Sequence, residues 1–157
     1  MEVVGEHIRQ IMDDVGRDLV DEIKNQLEQK GKDASGDLIS SIHYQLVEKS
    51  DSIEVEILSL DYLKYVDQGR KPGKQPPVSK IVPWIQHKGI RMSSKSGKIM
   101  TVEQAAFVIA RSIGKKGIGP TNVVKNSIDM VYNRRKDDLK KASIEDIKSL
   151  TIKILKG

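Results

Sequence analysis

Cysteine is absent from the chain, so no disulfide holds the fold and no thiolate can serve as nucleophile or metal ligand. Aromatic side chains are scarce: one Trp, one Phe and four Tyr, few for a surface that stacks bases. Apolar runs extend only a few residues, too short for a membrane-spanning helix, so no membrane is expected as a partner. The opening Met1-Glu2 leads into no basic stretch followed by an apolar one, which predicts a protein made in the cytoplasm without a secretory leader. The three histidines, His7, His43 and His87, fall on separate elements without metal-ligand spacing. Each reads as an ordinary surface or half-buried residue.

Acid is what the middle of the chain lacks. Residues 68–128 carry 12 basic side chains and one acid, Glu103. Residues 1–67 carry 7 basic and 16 acidic ones, and residues 129–157 carry 8 basic and 5 acidic. The overall charge of +5 therefore hides a chain that is bipolar along its length. A basic block can face a polyanion such as DNA, or the acidic block of one subunit can dock on the basic block of the next. An internally neutralised monomer is the plain alternative.

The 157 residues suit one α+β domain, 1–157. Residues 1–30 predict a long amphipathic helix, with Val4, Ile8, Ile11, Val15, Leu19, Ile23 and Leu27 on one stripe and Gly31 as its stop. Residues 31–37 are turn chemistry. Residues 38–67 hold a hairpin and a short strand or helical turn. Ile42, Tyr44 and Leu46 alternate with His43, Gln45 and Val47, as do Ile53, Val55 and Ile57 with Glu54 and Glu56, across a turn at Lys49–Ser52. The short element at Tyr62–Val66 fits strand and helical turn equally.

Residues 68–100 are basic loops around a short helix. Proline and glycine at 69–77 exclude regular structure there. Ser79 lies near the start of the short helix, Ile81, Val82, Trp84 and Ile85 supply its core contacts, Pro83 limits it and Gly89 closes it. The 91–100 stretch has a flexible composition. Residues 101–142 hold helices. Thr101-Val-Glu-Gln104 is a capping box, opening a helix whose stripe is Val102, Ala105, Ala106, Ile109 and Ile113, widened by Phe107 and Val108 and stopped at Gly114 or Gly117. The next helix starts near Thr121 with Val124, Ile128, Val131 and Tyr132 on one face. Ser143-Ile-Glu-Asp146 resembles a second capping box, and residues 143–157 fit helix or strand.

Signs of chemistry are thin. Gly69-Arg-Lys-Pro-Gly73-Lys74-Gln75 resembles a phosphate loop, but three residues instead of four separate the glycines and Gln75 stands where Ser or Thr would hold magnesium. Gly114-Lys-Lys-Gly117-Ile-Gly119 follows a helix instead of a strand and lacks a dinucleotide-binding context. Glu54 and Glu56 are the obvious carboxylate pair, and they read as the solvated face of the hairpin. No elbow marks a serine nucleophile. No catalytic residue, metal ligand or cofactor site is assigned. Contact candidates are the cations of the exposed loops: Arg70, Lys71, Lys74, Arg91, Lys95 and Lys98, joined by Lys115 and Lys116.

Three stretches in order carry a family resemblance. They are Tyr62-Leu-Lys-Tyr-Val-Asp-Gln-Gly-Arg70, Ile81-Val-Pro-Trp-Ile-Gln-His-Lys-Gly-Ile90 and Ala106-Phe-Val-Ile-Ala-Arg-Ser-Ile-Gly-Lys-Lys-Gly-Ile118. Together they resemble the tail-completion, or neck, proteins of tailed bacteriophages over roughly residues 36–128. The chain departs from that pattern at Asp67, where glutamate is common, at Gln68, where Phe or Tyr often sits, and at Thr121-Asn122, where a phenylalanine is usual. The resemblance implies an α+β fold with helices packed on a small antiparallel sheet, and a virion protein without catalytic residues. It further implies a homo-oligomeric ring between portal or head-closure proteins and the tail tube, with phage DNA passing through the bore. A non-specific DNA-binding protein of a phage or mobile element is the rival expectation.

Overall fold

A computed structural model describes residues 5–31, 36–60 and 63–156, with side chains described as far as 148. The fold is α+β, with six helices and one antiparallel hairpin among these residues. The chain gathers into two compact units. The first comprises 1–30, 41–60 and 123–157; the second comprises 31–40 and 61–122.

In the first unit, α1 (Glu6–Gln29) buries Gly16, Leu19, Val20, Ile23 and Leu27. This is the C-terminal half of the expected stripe; Val4 lies outside the described residues. Ile23 and Leu27 are fully buried, each contributing about 1.5–3 kcal/mol over an exposed position. Strands β1 (His43–Glu48) and β2 (Ile53–Leu58) pair antiparallel in continuous register from His43↔Leu58 to Glu48↔Ile53. Their apolar face packs on α1. Gly16 is required there, because a Cβ would lie 2.3 Å from the Tyr44 ring. The Tyr44 hydroxyl donates to Asp13 at 2.8 Å, and that bond raises the phenol above its ordinary pKa.

The last helix, α6 (Val123–Lys156), packs along α1. It resolves the C-terminal helix-or-strand alternative in favour of helix and corrects two expectations. Its buried stripe is Val123, Ser127, Val131 and Ala142, while Ile128 and Tyr132 are exposed, Tyr132 at 60 %. A helix facing the large Leu and Ile side chains of α1 presents its smaller residues inward, which apolar periodicity alone does not reveal. Nor does Ser143 start a new helix. Its hydroxyl donates to the Leu139 carbonyl at 2.9 Å, the back-bond of a mid-helix serine.

Asp146 caps a different helix. Its carboxylate accepts from the backbone N–H groups of His7 (3.2 Å) and Ile8 (2.9 Å) and lies 2.7 Å from His7 Nδ1. Gly5, at the N-cap of α1, offers no capping side chain. A Cβ on Gly5 would sit 2.0 Å from Asp146 Cγ, so the glycine makes room for a cap supplied by α6. Further along the same antiparallel contact, Arg135 bonds Asp18 at 2.8 Å and Arg134 lies 3.6 Å from Glu22.

The second unit contains α3 (Leu63–Gln68), α4 (Val78–Lys88) and α5 (Val102–Lys116). The short helix α2 (Asp37–Ser41) precedes β1, where turn residues and the start of the hairpin are expected. For the element at 62–66, the structure decides for helix, in α3; Tyr62 lies outside the described residues. α4 begins one residue before Ser79, with Pro77 at its N-cap, and runs through Pro83 instead of ending there. Pro83 and Ser79 are exposed, so water can take the Ser79 carbonyl that Pro83 cannot bond. Gly89 closes the helix in the left-handed conformation at φ 62°.

α5 forms as its capping box predicts. The Gln104 N–H donates to Thr101 Oγ1 at 3.2 Å, the Thr101 N–H donates to Gln104 Oε1 at 3.0 Å, and the helix stops at Gly117. α4 and α5 pack together around Ile85, Ala105 and Ala106, with Val78, Ile81, Val82, Met92, Met100 and Ile109 closing over them. Trp84, expected in the core, is 40 % exposed, and Phe107 and Val108, expected to widen the buried stripe, are 50 % and 41 % exposed. The cause is local: Ala105 to Ala110 is apolar around the whole helix. A helix with one buried face must leave part of such a run outside, and the alanines fit the close contact with α4.

Candidate interaction surface

The eight cations expected to make contacts all lie in the second unit, which holds 13 basic and 5 acidic residues by sequence; the first unit holds 14 and 17. Within the second unit they form two groups at opposite ends of α5. That helix has 15 residues, about 22 Å at 1.5 Å per residue.

Arg70, Lys71, Lys74, Lys115 and Lys116 form the group at its C-terminal end. The loop expected to be merely exposed is clamped there by backbone. Arg70 N–H donates to the Ile118 carbonyl at 2.8 Å, Ile118 N–H returns to the Arg70 carbonyl at 2.7 Å, and Gly73 N–H reaches the Gly114 carbonyl at 2.8 Å. Glycine makes this approach possible. Gly117 has φ +74° and a Cβ there would meet the Arg70 carbonyl at 2.2 Å; Gly69 has φ +73° and a Cβ there would meet the Ile118 carbonyl at 2.4 Å. The following residues cap α3: Thr121 Oγ1 donates to the Val66 carbonyl at 2.7 Å and Asn122 N–H to that of Asp67 at 3.0 Å. The clamp thus brings 70–74 against 114–118, beside the partial negative charge of a helix C-terminus, which favours cations.

Arg91, Lys95 and Lys98 form the other group. Their segment is a tight turn instead of the flexible stretch expected from composition. Ser94 N–H donates to Lys98 O at 2.8 Å, Gly97 N–H to Ser94 O at 2.9 Å and Met100 N–H to Met92 O at 2.9 Å, with Gly97 at φ +82°. Lys98 stands at the rim of a groove of about 520 Å³ whose apolar lining is Ile99, Met100, Phe107 and Val108, with Ser94, Glu103 and Gln104 also bordering it. Ile99 is 69 % exposed. The apolar character of this surface was missed in the sequence, although the all-round apolar run of α5 signals it.

Among the described residues, none of the eight cations is in an ion pair, whereas Arg9, Arg17, Arg134 and Arg135 of the first unit each meet a carboxylate within 4 Å. The Arg70 guanidinium donates to the Lys74 carbonyl at 2.5 Å, but cations without a counter-charge repel one another and gain most from an anionic surface brought from outside.

The groups singled out for possible chemistry have local partners. His43 Nδ1 bonds the Ser41 carbonyl at 2.8 Å, Glu56 accepts from Gln45 at 2.8 Å, and Glu54 pairs with Lys49. Among the described residues no group of three His, Cys, Asp or Glu could hold a metal ion, and no helix is long and apolar enough to cross a membrane. Compared with family models, curated proteins and solved structures, the chain matches none.

Proposed function

We propose that this is a structural virion protein of a tailed bacteriophage, a ring-forming tail-completion or neck component. It would join portal or head-closure proteins to the tail tube and make or break no bond. The observation that carries the reading is the second unit's surface: cations at both ends of α5 that meet no carboxylate among the described residues, next to exposed Ile99, Phe107 and Val108. Cations alone serve a polyanion. Cations beside large exposed apolar side chains suit a protein partner, since burying such side chains is what makes an interface stable. Support also comes from where the resemblance lies. Its three stretches fall in this one unit, where 70 bridges to 118 and α4 packs on α5.

Electron microscopy of the purified protein, joined to sedimentation across a salt series, tests the reading. Closed rings, or association that weakens steeply with salt, are expected. A strict monomer at every salt and concentration that binds no portal or tail protein would overturn it, as would absence from finished virus.

A second reading, non-specific DNA binding, is favoured by the clustering of Arg70, Lys71, Lys74, Lys115 and Lys116. Five phosphate contacts would give a slope of about −4 to −5 in log K against log salt. A gel-shift series with a slope near zero removes this reading; a steep slope in a protein that never self-associates makes it the better one.

A further inference from the structure

From the hairpin of the first unit we infer how copies join: the open edge of β2 receives β1 of a second copy, in antiparallel register, extending the sheet from subunit to subunit. The choice of a second copy as occupant rests on the ring reading; the edges themselves do not.

Both edges of the sheet are unpaired among the described residues, since the sheet has two strands and no other backbone hydrogen bond reaches 43–48 or 53–58. Lys49 N–H donates to Ser52 O at 2.8 Å, which makes 49 and 52 a hydrogen-bonded pair. Alternation along an antiparallel ladder then gives the same status to Val47↔Glu54, Gln45↔Glu56 and His43↔Leu58. The backbone groups of Ile53, Val55 and Ile57 on β2, and of Tyr44, Leu46 and Glu48 on β1, therefore point to the open edges. Exposed edges are ordinarily blunted by lysine, proline, a bulge or an inward charge. Neither strand has a lysine or proline, the register is continuous over six pairs, and the residues alternating toward α1 on β2 are Ile53, Val55 and Ile57.

Charge selects the occupant. Two β2 edges brought together would set the exposed Glu54 and Glu56 against the same residues of the other copy, and like charges directly across a ladder are unfavourable. β1 offers His43, Gln45 and Val47 at the matching positions. Parity also fits. Joining the outward-pointing backbone of 53, 55 and 57 to that of 44, 46 and 48 keeps the apolar residues of both copies on one face. Because β2 takes β1, the contact is head-to-tail and repeats around a ring.

The cysteine-free background makes the test direct. Single variants Gln45→Cys, Glu54→Cys and Glu56→Cys are prepared separately, mixed in pairs and oxidised mildly. In the proposed ladder 45 faces 54 or 56 of the neighbour in a pair close enough for a disulfide. The expected product is a mixed Gln45→Cys/Glu54→Cys or Gln45→Cys/Glu56→Cys dimer, with like copies uncrosslinked. Val55→Pro should weaken association on the order of tenfold or more with helical circular dichroism retained, because it removes an outward N–H and none from the hairpin's own ladder. Crosslinks only between like β2 variants would overturn the head-to-tail edge. Rings that form without a mixed crosslink would overturn the edge and leave the ring reading standing. A wild-type protein that never self-associates would sink both.

Discussion

The two units solve the problem of charge in opposite ways. In the first, carboxylates and guanidiniums meet across α1 and α6, with Asp18 between Arg134 and Arg135, and the interior is filled by large aliphatic side chains. In the second, the cations at the two ends of α5 have no carboxylate partner among the described residues, the core is built partly of alanine, and two glycines let one backbone segment touch another. Exposed ion pairs contribute little to stability, so pairing in the first unit mainly fixes the register of its two long helices. The second unit leaves its charges for something outside the molecule. One unit is built to hold its own shape and the other to present a surface.

The comparison can be broken by unfolding each unit separately. Trp84 is the one tryptophan in the chain and lies on α4, so its fluorescence follows the second unit, while helical circular dichroism is dominated by α1 and α6. Leu27→Ala should have the largest effect, about 3 kcal/mol from lost burial and the cavity left behind, lowering the circular dichroism midpoint well before that of Trp84. Equal shifts in both signals would show that the units melt as one cooperative domain.

Gly117→Ala comes next, at about 2–3 kcal/mol, because a side chain there is strained by its positive φ and collides with the Arg70 carbonyl. Its signature is the reverse, a fall in the Trp84 midpoint. It should also reduce any salt-dependent association by loosening 70–74 from 114–118. A variant that melts normally and associates normally would mean the clamp has no role in presenting the cations.

Asp146→Ala should cost about 1 kcal/mol, the worth of a helix cap, and speed hydrogen exchange at the His7 and Ile8 amides. It should also flatten a pH dependence. The hydrogen bond to Asp146 holds the His7 imidazole above its ordinary 6.5, against a smaller opposing effect of burial. Burial pushes the Asp146 carboxyl up, but the Ile8 N–H, the His7 ring and the His7 N–H together hold it below its ordinary 3.8. A raised histidine contributes stability in full below 6.5 and loses it as pH rises through its folded value. A depressed carboxyl contributes above 3.8 and loses it as pH falls through its folded value. The wild-type midpoint should therefore be highest between those limits and decline on both sides, and the variant should lack that share of the profile.

The smallest effect sharpens the same contact. Ser127 is fully buried and its hydroxyl has no hydrogen-bond partner among the described residues. Ser127→Ala should raise the midpoint of the first unit by up to about 1 kcal/mol. A loss of stability would reveal that the hydroxyl is satisfied in solution.

What could be read from the sequence was local. The C-terminal half of the α1 stripe, the alternation of the hairpin and the Thr101–Gln104 box each state their structure within a few residues, and each formed. The buried face of α6 could not be read that way, because Ile128 and Tyr132 are more apolar than Ser127 and only the bulk of α1 decides which side turns inward. Ser143 and Asp146 had the spacing of a cap and served two different purposes, one of them 139 positions away. The eight cations were identified by composition, but their division into two groups was not. The bonds that divide them run between backbone atoms of loops whose glycines, taken alone, signal only turns.

The cap that Asp146 places on α1 has a consequence for the order in which the chain is made. At roughly 5–20 residues per second, the first helix leaves the ribosome seconds before the carboxylate that finishes its opening turn has been synthesised. Residues 61–122 are contiguous and emerge in between, so the second unit can settle while α1, packed on the hairpin alone, waits with the stripe that will face α6 uncovered. Until the last helix arrives, that stripe is open to a chaperone or to the nascent α1 of a neighbouring polysome.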